Sequence, residues 1–104
     1  MEKLTPELLD QKLQSGEAFV VDYHAGWCGA CREMMPVVKE VAEEYPDIPF
    51  YEVDIDEQPE LKNRAKIKAI PMMMMYKGGR VREFVYGKTG RDIIERKLGM
   101  LQKV

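Results

Sequence analysis

Cysteine is scarce in this sequence: there are two among 104 residues, Cys28 and Cys31. That excludes the disulfide framework of a small secreted scaffold, and in a reducing compartment the close spacing points to redox or metal chemistry. Histidine and tryptophan occur once each, as His24 and Trp27. A structural zinc site takes four ligands and usually a second cysteine pair. Here the two cysteines and His24 would still need a carboxylate or water, so no metal is expected. No stretch approaches the roughly 20 apolar residues that span a bilayer, so no membrane role is expected. A basic excess is missing too: 16 Lys and Arg stand against 18 Asp and Glu, a net charge of −2. Proteins that track phosphates normally show that excess, which argues against a nucleic-acid partner. The late basic residues Lys77, Arg80, Arg82, Lys88 and Arg91 have acids among them, as a solvated face does. Met1 to Asp10 contains no basic region followed by an apolar run, hence no secretory signal, and a cytoplasmic location is expected.

What is present is enough for one domain, residues 1–104, with 45% hydrophobic side chains to build its core. Thr5, Pro6 and Glu7 suit the start of a helix, Leu9 and Leu13 its buried stripe, and Ser15-Gly16 its end. The run Ala18–Tyr23 reads as a buried strand in which Asp22 is the odd member. From about Ala30 to Tyr45, apolar residues recur at spacings of three and four. They predict an amphipathic helix, bent at Pro36, beginning at or just within the cysteine motif. A second strand is expected over Phe50–Ile55 and a short helix from Pro59. Met72–Tyr76 and Val81–Tyr86 flank Gly78-Gly79, a hairpin signature. Thr89 and Asp92 resemble a capping box for a last helix carrying Ile94, Leu98 and Leu101. Early alternation of helix and strand implies parallel pairing with crossovers, and the hairpin adds an antiparallel edge.

The chemistry lies in Trp27-Cys28-Gly29-Ala30-Cys31. A spacing of three is close to one helical turn, so the sulfurs can meet without unwinding the helix. At a helix start, unpaired N–H groups and the dipole stabilise an anion. They lower the pKa of the first thiol, and the thiolate is the attacking species. Gly29 permits a tight turn, and Trp27 offers a flat apolar surface to a protein substrate. A purely structural disulfide over so short a loop would gain little from chain entropy.

From Val21-Asp22-Tyr23 through the cysteine motif and Pro36 to Ile70-Pro71, with the Gly-Gly hairpin and Gly87 behind, the chain resembles the thioredoxin family over essentially its whole length. The resemblance implies an α/β, thioredoxin-like fold: a central mixed β-sheet flanked by helices on both faces. It implies that Cys28 is the exposed nucleophile and Cys31 the buried resolving thiol. Asp22 matches a buried acid, raised in pKa and placed to accept the proton of Cys31; the alternative is an acid satisfied by backbone donors. Pro71 matches a cis-proline facing the sulfurs, and Ile70 before it offers backbone to the substrate chain. Trp27, Gly29, Ala30, Ile70, Pro71 and Gly87 thus form the expected substrate surface. No bound cofactor beyond the redox-active disulfide is implied. The implied partners are disulfide-containing proteins and a recycling enzyme of the thioredoxin-reductase type, and a monomer is the expected state.

Three positions depart from the commonest family pattern. Ala30 stands where a proline is usual, which predicts a somewhat more oxidising pair. His24 replaces an aromatic, and either tunes the thiolate when protonated or simply fills the space. Glu52 replaces a lysine near the buried acid, and either pushes the pKa of Asp22 up or points to solvent. Met72 to Met75 is read as core filling on both sides of a strand, with contact to varied substrates by Met72 as the alternative.

Overall fold

In the computed structural model, which describes Met1–Val104, chain order and sheet order differ. The elements are β1 (Glu2–Lys3), α1 (Pro6–Ser15), β2 (Phe19–His24), α2 (Gly29–Glu44), β3 (Phe50–Asp54), α3 (Pro59–Arg64), β4 (Met72–Lys77), β5 (Arg80–Tyr86) and α4 (Arg91–Gln102). The strands lie in the order β1-β3-β2-β4-β5. β3 pairs parallel with β1 and β2, while β4 runs antiparallel to both β2 and β5. The mixed sheet expected from early crossovers and a late hairpin is therefore what forms.

Local chemistry sets most boundaries. Thr5 caps α1 by accepting the Leu8 N–H at 3.1 Å, and Gly16 ends it at φ 72°. Gly78 and Gly79 turn the β4–β5 hairpin at φ 68° and 81°, which side chains with a Cβ resist. α2 continues through Pro36, whose missing N–H does not end the helix. Two expectations need correction. Thr89 does not cap α4: the capping position is Gly90, without a side-chain hydrogen bond. A short strand, β1, precedes the first helix, held by backbone pairing to β3 rather than by any apolar pattern.

Side chains alternate across the sheet and build two cores. Phe19, Val21, Tyr23, Tyr51 and Val53 pack with Leu9 of α1 and Leu61 of α3. Val20, Phe50, Met73 and Met75 pack with Met34, Val38 and Val41 of α2 and with Ile94, Leu98 and Leu101 of α4. The methionine run follows this alternation: Met73 and Met75 are fully buried on the α2/α4 side, Met72 and Met74 half-buried on the other. Met73→Ala is expected to destabilise the fold by about 2–5 kcal/mol in urea unfolding. No helix is long and apolar enough to cross a membrane.

The same alternation has a polar consequence. Asp22 shares the parity of Val20, and Glu52 that of Phe50. β2 and β3 thus point carboxylates toward the side covered by α2, where apolar residues would otherwise continue.

Candidate redox site

β2 ends at His24, and the loop Ala25–Trp27 delivers the chain to the start of α2. Cys28 is the capping residue, in extended conformation at φ −90°, ψ 104°. Its sulfur accepts the backbone N–H of Cys31 at 3.2 Å, and its carbonyl accepts that of Arg32 at 3.2 Å. The two cysteines form a disulfide, with their Cα atoms 5.3 Å apart. Cys28, expected to be exposed, is only 7% exposed as a residue, against 4% for Cys31. Its sulfur is turned into the helix cap and bonded to its neighbour, which removes most of its contact with water.

Around this pair the predicted residues fall into two groups. Trp27 is 68% exposed, and its Nε1–H donates to Asp56 Oδ2 at 2.8 Å, which tethers the ring to the β3–α3 connection. Trp27 and Ile70 line one groove of about 510 Å³, together with Ile55, Ile67 and Ala69. The Ile70–Pro71 peptide is cis. The Pro71 carbonyl accepts the Gly87 N–H at 2.8 Å, and Gly87 sits at φ 84°, where a Cβ would be strained. Gly29 is exposed and Ala30 half-exposed on the first turn of α2. Sequence reasoning missed Asp56, Ile67 and Ala69. Asp56 carried no signal at a separation of 29 residues from Trp27.

The second group, Asp22, His24 and Glu52, lies on β2 and β3. Asp22 is 3% exposed, and its Oδ1 has no hydrogen-bond partner. An oxygen without a donor runs against the alternative of an acid satisfied by backbone donors. Burial pushes its carboxyl up from 3.8 to about 6, with His24 opposing and Glu52 adding to the rise. Glu52 faces Asp22 across the β2–β3 pairing. It does not simply point to solvent: its side chain is 20% exposed, and Oε1 lies 3.0 Å from His24 Nε2. His24 is 17% exposed by side chain and lines a cavity that also contains Cys31. No cluster of three or more His, Cys, Asp or Glu side chains is arranged to hold a metal ion.

A disulfide at the first turn of a helix, beginning directly after an exposed tryptophan that lines an apolar groove, defines a class: proteins that exchange a dithiol for a disulfide. Comparison with known proteins narrows it. The thioredoxin family model matches residues 1–99. The chain is 37% identical over 90 residues to thioredoxin of Geodia cydonium, covering 84% of this chain and 85% of that one. It is 34% identical over 96 residues to thioredoxin of Alicyclobacillus acidocaldarius, covering 91% of each. Among solved structures, Fasciola hepatica thioredoxin superposes with a TM-score of 0.87 at 28% identity, covering 96% of this chain and 98% of that one. Mitochondrial thioredoxin 3 from Saccharomyces cerevisiae, in its oxidised form, gives 0.86 at 26% identity, covering 95% and 93%. The chain belongs to the thioredoxin family. It is a thiol–disulfide oxidoreductase with a five-stranded thioredoxin fold.

Proposed function

We propose that this protein reduces disulfides in protein substrates, with Cys28 as nucleophile, Cys31 as resolving thiol and Asp22 as proton acceptor. The observation that carries this reading is the sulfur of Cys28 at the cap of a 16-residue helix, accepting the Cys31 N–H. In the dithiol state the same unpaired N–H groups favour a thiolate there. The thiolate attacks a substrate disulfide, forming a mixed disulfide and expelling one substrate thiolate. Cys31 then attacks the Cys28 sulfur. Its proton passes to Asp22, the Cys28–Cys31 bond forms, and the second substrate thiolate leaves. Trp27, Gly29, Ala30, Ile70, Pro71 and Gly87 surround the pair and bind the substrate chain, with the free backbone of Ile70 available to it. The fold acts as one domain over residues 1–104 and as a monomer, in the cytoplasm, without a bound cofactor. A reductase of the thioredoxin-reductase type returns it to the dithiol, so that electrons flow from that enzyme to substrate proteins.

Alkylation with mass readout tests the reading. Two thiols should label after a reductant and none after an oxidant, and only the reduced form should cleave the interchain disulfides of insulin. Labelling that does not change with redox state, or no cleavage by the dithiol, overturns it. Ala30 adds a second expectation. Without a rigid residue at that point, equilibration against glutathione should give a potential above the about −270 mV of thioredoxin, and Ala30→Pro should lower it.

A further inference from the structure

Asp22, His24 and Glu52 share one side of the sheet but differ in access to water. Asp22 is 3% exposed, whereas the His24 and Glu52 side chains are 17% and 20% exposed. His24 lines two cavities at once. One, beneath the start of α2, contains Cys31, Arg32 and Lys39. The other, beside β1, contains Glu52, Lys3 and Glu57. No other residue lines both. His24 therefore stands between the resolving cysteine and the solvent side of the sheet, held there by its hydrogen bond to Glu52 at 3.0 Å.

We propose that His24 and Glu52 form a positioning pair for the resolving step, His24 holding Asp22 ionised and Glu52 both fixing the imidazole and opposing its charge. This rests on Asp22 being the acceptor of the Cys31 proton. An acid can accept that proton only while it is ionised, and a buried one with an unpartnered oxygen is ionised reluctantly. A protonated imidazole nearby offsets that reluctance, and a carboxylate adds to it. Both influences act on Asp22 with those signs.

The other charged groups nearby are engaged elsewhere or unaltered by changes to the pair. Lys3 pairs with Glu57 at 3.5 Å, and Asp54 Oδ1 accepts the Asp56 N–H at 2.8 Å. Arg32 donates to the Gly26 carbonyl, and Lys39 approaches the Cys31 cavity from α2. On the β4 side, Asp22 faces the uncharged Met73.

The test uses two conservative substitutions, His24→Gln and Glu52→Gln, which remove charge while keeping hydrogen-bonding capacity. The Asp22 midpoint is read from its carboxyl carbon by NMR in protein labelled with ¹³C-aspartate. Resolution is read by stopped flow from the second thionitrobenzoate released when the dithiol meets 5,5′-dithiobis(2-nitrobenzoate). His24→Gln should move the midpoint, and the acid limb of the second release, to higher pH. Glu52→Gln should move both to lower pH, because ionised Asp22 still supplies an anion beside His24. The double variant should fall between them. Midpoints that stay in place, or that move the same way in both single variants, overturn the pair. A second-release profile left unchanged by Asp22→Asn overturns instead the acceptor reading on which the pair depends.

Discussion

Cys31→Ser is expected to stop turnover after a single attack and to accumulate mixed disulfides through Cys28. The geometry gives the two cysteines unequal surroundings, which is what the proposed roles require. The sulfur of Cys28 receives an N–H from the first turn of α2, while Cys31 lies inside the helix and is the more buried. Removing Cys31 leaves the first attack intact, because the capping N–H belongs to the backbone. What is lost is an intramolecular thiol one helical turn away, with Cα atoms 5.3 Å apart. Well-oriented groups react with effective concentrations on the order of 10⁵ M or more, against about 10⁻³ M for an external thiol. Even a poorly aligned pair should therefore outpace external resolution by at least about a thousandfold. Denaturing mass spectrometry without reductant should show a covalent substrate adduct at Cys28 in Cys31→Ser, and none in Cys28→Ser. Turnover by Cys31→Ser at the wild-type rate would falsify the assignment, as would trapping through Cys31 when Cys28 is absent.

The cysteine pair at the start of a helix was legible early, because it is written in contiguous residues. Thr5 and Gly16 bound α1, and Gly78-Gly79 turns the hairpin, for the same local reasons. Contacts that depend on register were not legible. His24 and Glu52 each stood out as unusual, but their hydrogen bond exists only because β2 and β3 pair in parallel with Asp22 opposite Glu52. The Trp27–Asp56 bond likewise joins two loops that nothing local connects. β1 escaped notice for another reason: Glu2 and Lys3 are polar and exposed, and the strand is held by main-chain bonds to an edge. Thr89 and Asp92 misled because they carry the right side chains at the right spacing, yet the chain enters α4 one residue later.

The position most at odds with its surroundings makes the second large prediction, that Asp22→Asn stabilises the protein at neutral pH while impairing it as a catalyst. Asp22 ionises at 3.8 when unfolded and at about 6 in the fold, chiefly because burial disfavours its charge. Between those values the folded state holds a proton that the unfolded state has released, so stability falls as pH rises. Below about pH 4 both states are protonated and there is no penalty. Above about pH 6 both are ionised and the penalty is complete, on the order of 3 kcal/mol for a rise of this size. Asn is nearly the same shape as the protonated acid and carries no charge. Urea unfolding of wild type and Asp22→Asn should therefore agree closely near pH 3.5 and diverge by about 3 kcal/mol at pH 8, the variant being the more stable. Carboxylates elsewhere cancel in that difference unless they touch Asp22. A difference that stays constant from pH 4 to 8 would mean that Asp22 is not held above its ordinary range. With Asp22 as the proposed proton acceptor for Cys31, the same variant should slow the resolving step by about a hundredfold or more. Stability and catalysis thus move in opposite directions at one residue, the pattern expected where a fold retains a buried charge for its chemistry rather than for its packing.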